Sequence, residues 1–283
     1  MFGWLKGEDK KEKSNLVSFK SNFRGKLRFQ DFQSVMTGLK MALETSSVYR
    51  SYLRCSSSDV VFILKRSDDI YHYTFYKIKL FGSEGKIQDN VVFLNLDTDK
   101  IWKLARLIEV MNASETVILE IHGNNLSKFT LTDNIDQCTL LLNHDNTWYP
   151  VKKDIEPILN TQERKDRYIF TFDLNDLKSM VSKFVSRMGT NPVANLNFYA
   201  NDYSSIRYED IFTKEVIESM SNTISKDLET NISVKVNVLI LKDAVSNLIG
   251  RNVRIYFTED NKIIFEDLSI PHLEVIGHLG ENI

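Results

Sequence analysis

The chain has 283 residues, 42% hydrophobic and 26% charged, a composition typical of a soluble globular protein with one large core or two ordinary ones. Its formal net charge of −2 excludes a surface that is basic throughout, so any nucleic-acid-binding surface must be local. Cys55 and Cys138 match neither a metal-ligand spacing nor a disulfide framework, and we expect two buried, reduced thiols.

The N-terminal segment MFGWLKGEDKKEKS, residues 1–14, is predicted to be a flexible tail, with a small docking motif of Phe2, Trp4 and Leu5 as the alternative. Its apolar run is too short for a signal peptide, and no apolar stretch approaches the roughly 18 residues of a membrane span. We expect an intracellular protein of the cytoplasm or nucleoid, or of the host cytoplasm if the source is viral, that is not secreted and binds no membrane.

Four successive segments repeat one pattern, a strand followed by an amphipathic helix and two or three further strands. The first unit has LVSFKSNFRGKLRF, the helix DFQSVMTGLKMALET and the strands VYRSYLRC, DVVFILKR and IYHYTFYKIKLF. The apolar side chains of this helix share one face, at Phe32, Val35, Met36, Leu39 and Leu43.

The second unit has the strand VVFLNL, a helix over Asp99–Met111 and the strands ETVILEIHG, KFTLTD and QCTLLLNH. Apolar residues occupy one face of this helix, at Ile101, Leu104, Ala105, Ile108 and Met111. The opposite face carries Lys100, Lys103 and Arg106, with no acidic residue before Glu109. A surface helix of a mildly acidic protein usually mixes its charges, so this face is a candidate for contact with a negatively charged partner.

The third unit has YIFTFDL, the helix NDLKSMVSKFVSRMG and the strands ANLNFYAND and SSIRYED. The segment IFTKEVIESMSNTISKDLET, residues 211–230, is interpreted as an insertion. The fourth unit has ISVKVNVLI, the helix LKDAVSNLIG and the strands RNVRIYFTED, NKIIFED and HLEVIGHL. Period-two alternation, as in Val253, Ile255 and Phe257, is typical of half-buried antiparallel strands.

The stretch His144–Arg167 separates the second unit from the third, and it holds two of the four prolines, many charges and no hydrophobic period. We therefore predict a tail at 1–14, a first domain at 15–145, an interdomain connector at 146–166 and a second domain at 167–283. The predicted fold class is α+β, with two similar domains that each pack a helix pair on antiparallel sheets.

Motifs for catalysis are absent from the sequence: it has no phosphate-binding glycine loop, no HExxH and no recognisable nucleophile motif. The acidic pairs Asp68–Asp69, Glu259–Asp260 and Glu266–Asp267 could bind Mg²⁺ in a nuclease, but we expect solvated acid at turns or strand ends. The sequence thus predicts a protein that is not an enzyme and that has no catalytic residue, metal or cofactor.

Basic residues recur on the predicted exposed faces of all four helices, together with serine and threonine. Such faces attract the phosphates of a DNA duplex without reading its sequence. The alternative is that they are ordinary solvated helix faces. The predicted DNA-facing residues are Lys40, Lys100, Lys103, Arg106, Lys178, Lys183, Arg187, Lys242 and Arg251.

The order of these elements resembles the DNA polymerase sliding clamps, in the two-domain trimeric type of eukaryotes, archaea and tailed phages that includes proliferating cell nuclear antigen. The resemblance lies in FLNLDTDKIWKLARLIEVMNASETVILEIHGNNLSKFTLTD, YIFTFDLNDLKSMVSKF, VKVNVLILKDAVSNL, NVRIYFTEDNKIIFED and LRFQDFQSVMTGLKMAL. It implies a processivity factor that encircles double-stranded DNA as a homotrimeric ring, with helices lining the hole and sheets outside. The tail and the 211–230 segment have no clear counterpart in this pattern.

The resemblance also implies a pocket beneath the interdomain connector that binds short apolar peptide motifs of the DNA polymerase and the clamp loader. The implied pocket residues are Val60, Phe62, Ile155, Pro157, Ile158, Ile270 and Pro271. Two alternatives remain open: a clamp-like DNA-binding accessory protein that does not close a ring, and a viral structural or assembly protein of α+β type.

Overall fold

The computed structural model describes residues 23–45, 49–66, 72–87, 91–96, 98–110, 116–122, 126–132, 137–143, 155, 159, 169–188, 192–200, 204–210, 216–221, 230–257, 263–270 and 273–279. The predicted tail and nearly all of the predicted connector lie outside these residues, so the domain limits stay predictions. We call residues 23–143 the first half and residues 169–279 the second half.

The first half contains two helices and nine strands with described bounds. In chain order these are β1 Phe23–Arg28, α1 Phe29–Thr45, β2 Tyr49–Ser56, β3 Asp59–Arg66, β4 Tyr73–Lys79, β5 Gly82–Gly85, β6 Val91–Leu96, α2 Thr98–Val110, β7 Thr116–His122, β8 Leu126–Thr132 and β9 Gln137–Asn143. The second half continues with β10 Ile169–Asp173, α3 Leu174–Arg187, β11 Val193–Ala200, β12 Ser204–Asp210, β13 Val216–Ser221, β14 Thr230–Asn237, α4 Val238–Ser246, β15 Asn252–Phe257, β16 Ile263–Ile270 and β17 Leu273–Leu279.

Two differences from the sequence prediction lie in the second half. Helix α4 begins at Val238 rather than Leu241, because the Asn237 side chain accepts hydrogen bonds from the backbone N–H groups of Leu239 and Ile240, at 3.0 and 3.4 Å, and so caps the helix. Strand β13 lies inside the segment interpreted as an insertion and pairs with β12. That part of the segment is therefore a strand of the fold.

The strands form three antiparallel sheets. Their orders are β5-β1-β7-β8-β9 in the first half, β13-β12-β11-β14 in the second half, and β10-β15-β16-β17-β4-β3-β2-β6 in a sheet shared by both. The shared sheet is continuous because β17 of the second half pairs with β4 of the first, placing Val275 opposite Tyr76. The helices and antiparallel sheets confirm the predicted α+β class.

The helices pack as two pairs, α1 on α2 and α3 on α4. One hydrophobic core contains the buried faces of all four helices together with one face of the shared sheet, including Phe32 and Leu39 of α1 and Phe184 of α3. Cys55 is buried in this core, and burial raises the pKa of its thiol well above the usual range. The side chain of Cys138 is outside the part of the chain that the structure describes.

Polar contacts also join the two halves. The Tyr76 hydroxyl donates to the Asn247 carbonyl at 2.8 Å, and the Asn247 amide donates to Thr74 Oγ1 at 3.3 Å. Arg66 of β3 forms an ion pair with Asp243 of α4. These bonds fix α4 of the second half against strands of the first. None of the helices that the structure describes is long and apolar enough to cross a membrane.

Candidate nucleic-acid interface

Helix α3 carries the clearest exposed basic face. Its N-terminus is capped by Asp173, whose side chain accepts from the backbone N–H groups of Asn175 and Asp176. Its buried face packs into the core at Leu174, Leu177, Met180, Val181 and Phe184. Lys183 and Arg187 are exposed, and they are four residues apart in the helix. Two cations at this spacing lie on one face, where they can contact phosphates together.

Lys178 of the same helix has a structural role instead of an exposed position. Its ammonium group donates to the Leu248 carbonyl at 2.8 Å, and the side chain is partly buried. Burial lowers the pKa of Lys178, whereas the nearby Asp267 carboxylate favours the charged form. The cation thus joins α3 to the chain after α4, and in this structure it is engaged within the protein.

Helix α2 presents Arg106 as an exposed residue. The backbone at Lys100 and Lys103 is helical, but their side chains are not among the described ones, so their predicted role stays a prediction. Lys40 of α1 is partly buried, and its ammonium donates to Glu109 Oε1 of α2 at 2.7 Å. This ion pair crosses from one helix to the other.

Helix α4 and the residues after it contribute two more exposed cations, Lys242 and Arg251. The backbone carbonyl of Arg251 accepts the N–H of Leu174 at 2.8 Å, which ties this turn to the start of α3. The exposed cations Lys183, Arg187 and Lys242 therefore lie on one pair of packed helices. Lys178 lies on the same pair, but its ammonium group is bonded within the protein.

The structure describes four of the seven residues predicted for the peptide pocket. Val60 and Phe62 lie in the main core, 0% and 1% exposed. Their neighbours Val61 and Ile63 point the other way and form a second hydrophobic cluster with Ile155 of the connector. The connector therefore contacts β3 on the face opposite to Val60 and Phe62, one residue out of phase with the prediction.

Both described connector residues, Ile155 and Leu159, are buried in that second cluster. The cluster also contains Tyr73 and Phe75 of the first half and Tyr256 and Ile264 of the second. Ile155 and Leu159 thus pack with side chains of both halves. Ile270 is partly buried against the main core, whereas Pro157, Ile158 and Pro271 lie outside the described residues, so the pocket as a whole stays a prediction.

We expect Ile155→Asp to destabilise the protein by about 3 kcal/mol, because it places a carboxylate in an apolar cluster. Leu239→Asp is a matched control, since Leu239 is 40% exposed in the first turn of α4, and should change stability by less than about 0.5 kcal/mol. Urea unfolding at one protein concentration measures both. Equal stability of the two variants would contradict the docking of the connector on the sheet.

The acidic pair Glu266–Asp267 corrects one sequence interpretation, because it is not solvated acid at a strand end. Both residues lie within β16 and are buried, 7% and 1% exposed. Glu266 accepts a hydrogen bond from the Tyr256 hydroxyl, and burial together with this bond raises the pKa of Tyr256 to about 12. Asp267 accepts the backbone N–H of Gly250. Among the described residues there is no group of three or more His, Cys, Asp or Glu that could hold a metal.

Two residues of the helix surface were not predicted as site residues from the sequence. Trp102 is only partly buried between Lys40 and Arg106, and Glu109 is the partner of Lys40. The sequence signal was present for Trp102, since an indole on the polar side of an amphipathic helix departs from the usual pattern. The pairing of Glu109 with a residue 69 positions away has no local signal.

Solved structures similar to this chain share one fold. Proliferating cellular nuclear antigen from Entamoeba histolytica aligns over 93% of this chain and 100% of its own, with a TM-score of 0.63 and 10% identity. The beta clamp from Helicobacter pylori aligns over 93% and 67%, with a TM-score of 0.63 and 10% identity. The DNA polymerase sliding clamp from Pseudomonas aeruginosa gives the same coverage and TM-score with 12% identity.

No protein-family model matches the sequence, and no match is found among curated proteins. The similar solved structures show that the chain has the sliding-clamp fold, which the order of its elements predicted. Because the identities are only 10–12%, these structures show the fold alone.

Proposed function

We propose that this protein is a DNA polymerase processivity factor, a sliding clamp that encircles duplex DNA and has no enzymatic activity of its own. The observation that carries the proposal is the exposed basic surface of the helices, Arg106 on α2, Lys183 and Arg187 on α3, and Lys242 on α4, on a chain with the sliding-clamp fold. Contacts of this kind with phosphates are independent of base sequence, which suits a protein that must slide.

A ring explains how a chain of net charge −2 can hold DNA. A closed ring is released from DNA by opening, and not by breaking each phosphate interaction in turn, so these interactions can be few and weak. The acidic residues would lie outside and the basic residues inside, where clustered charge raises the local potential. The domain limits at 15–145 and 167–283 belong to the same proposal.

The sheet edges favour assembly head to tail. Strand β9 is an edge of the five-stranded sheet in the first half, and β13 is an edge of the four-stranded sheet in the second half. Within the described part of the chain each of these strands has a paired neighbour on one side only, so its other side could offer backbone N–H and C=O groups to another chain. Pairing of β9 in one copy with β13 in the next is a heterologous contact, which closes into a ring when the rotation fits; we propose a homotrimer.

The proposed partners, besides DNA and the other copies of this chain, are a DNA polymerase and a clamp loader. Their short apolar peptide motifs would dock beside the connector, near Pro157, Ile158, Ile270 and Pro271. Ile155 is buried, so we propose that it supports this pocket without contacting the peptide. Because DNA is the site of action, the protein would work in the cytoplasm or nucleoid.

Light scattering coupled to size exclusion tests the assembly, and we expect a mass about three times the 32.8 kDa of the chain. Negative-stain images of the same fraction should show rings with a central hole. A monomer that still binds duplex DNA would instead support an accessory protein that does not close a ring. A particle without affinity for DNA would support a structural or assembly protein.

A further inference from the structure

Four side chains between α1 and α2 form one cluster, which we call the Trp102 cluster: Lys40, Trp102, Arg106 and Glu109. The Lys40 ammonium lies 5.8 Å from the centre of the Trp102 ring, and the Arg106 guanidinium carbon lies 5.7 Å from it. The same ammonium donates to Glu109 Oε1 at 2.7 Å. One aromatic ring thus attracts two cations, and one carboxylate neutralises one of them.

The ring and the carboxylate have different effects on a phosphate partner. Cation–π attraction restrains where the Lys40 and Arg106 head groups lie while leaving their charge intact. The Glu109 carboxylate cancels the charge of Lys40 and would repel an approaching phosphate. An ion pair in which the Glu109 side chain is 53% exposed is screened by water, so it is weak enough for a phosphate to compete.

On the second helix pair, hydroxyl groups lie next to the exposed cations. The exposed cations Lys183 and Arg187 of α3 lie beside Ser182 and Ser186, whose hydroxyls donate to carbonyls of their own helix. In the Trp102 cluster a carboxylate is bonded to one of the two cations, so the net positive charge of the cluster is smaller than its cations alone would give.

We infer that Glu109 attenuates phosphate binding by the α1–α2 helix pair, by neutralising a Lys40 side chain that Trp102 holds in place. The inference rests on the proposed function and refines it: one carboxylate keeps the binding of DNA by this helix pair weaker than its cations alone would make it. This attenuation would help to keep DNA binding weak enough for the protein to slide. Glu109 would then set the strength of DNA binding without itself contacting DNA.

The test is Glu109→Gln in the full-length chain, titrated with a short fluorescent linear duplex at several NaCl concentrations. Affinity should rise roughly threefold at low salt, and the slope of log K against log salt should steepen by about 0.9 if Lys40 then binds one phosphate. Glu84→Gln is the matched control, because it removes the same charge from an exposed residue of β5. It should leave both quantities nearly unchanged.

A second comparison tests whether the gain in DNA affinity caused by Glu109→Gln depends on Lys40. In a Lys40→Ala background, Glu109→Gln should no longer raise the affinity. An equal gain in Glu109→Gln and Glu84→Gln, a gain that persists without Lys40, or no gain at all would overturn the inference. If the wild-type protein bound no duplex, the proposed function would fail first. If the wild-type protein bound duplex DNA and Glu109→Gln did not change the affinity, only the inference about Glu109 would be overturned.

Discussion

Duplex DNA should bind about tenfold more weakly, or not measurably, when Lys183 and Arg187 are both replaced by glutamate. Both residues are exposed, whereas Leu177, Met180 and Phe184 of the same helix are buried, so the exchange reverses charge at positions outside the core. The salt dependence should become shallower by about 0.9 for each phosphate that the variant no longer binds. In primer extension with a polymerase that the wild-type protein stimulates, mean product length should fall in parallel.

The matched control is Lys79→Glu with Lys235→Glu, an identical change in net charge on strands β4 and β14. Both lysines are exposed, and they alternate with the core residues Ile78, Val234 and Val236. They therefore face away from the core. If the two double variants lost affinity equally, the effect would come from net charge and not from the helix surface. Unchanged binding by the α3 variant would favour a structural or assembly protein.

The order of elements could be predicted because helix and strand periods are local properties of a sequence. The apolar stripe of α3, for example, lies where spacing places it, and Leu177, Met180 and Phe184 are all buried. The start of α4 was wrong because VNVLI is uniformly apolar around a single asparagine. The Asn237 cap ends the strand inside that run, and only the bonds it accepts reveal the boundary.

The facing of β3 could not be predicted, for a related reason. Val60, Val61, Phe62, Ile63 and Leu64 are all buried, because one face belongs to the main core and the other to the second cluster that contains Ile155. A strand covered on both sides has no alternation to show which residue faces which layer. The sequence could therefore indicate that β3 and Ile155 belong together, but not through which side chains.

Charged residues were the least predictable part of the candidate site, because their partners are distant in the chain. Lys178 donates to a carbonyl 70 residues away and Lys40 to a carboxylate 69 residues away. From sequence, a lysine on a helix surface that contacts phosphate looks the same as one that joins two helices. The tertiary structure divides the predicted cations into exposed ones, such as Lys183 and Lys242, and engaged ones, such as Lys178.

Gly250→Ala should destabilise the protein by about 3 kcal/mol, because a Cβ atom at this position would overlap the Asp267 carboxylate. Asp267 is 1% exposed in β16, accepts the Gly250 N–H and provides a negative charge near Lys178. Moving it would therefore disturb the bond of Lys178 to Leu248 that holds α3 against the end of α4. Urea unfolding at fixed protein concentration measures the change, since assembly would make stability depend on concentration.

Gly82→Ala is the control for the loss of a glycine, because a Cβ atom there would lie 3.5 Å from the Cδ atom of the flexible Lys26 side chain. The free energy of unfolding should change by less than about 0.5 kcal/mol. The double variant Gly250→Ala, Asp267→Ala distinguishes two causes of instability. One is overlap of the new Cβ atom with the Asp267 carboxylate, and the other is loss of the hydrogen bond from the Gly250 N–H. If overlap is the cause, the double variant should be more stable than the sum of the single changes predicts, by about 1 kcal/mol or more. Strict additivity would show that the two residues are not in contact. Duplex binding by Gly250→Ala should also weaken, because the α3–α4 pair that presents Lys183 and Arg187 would lose its support from β16.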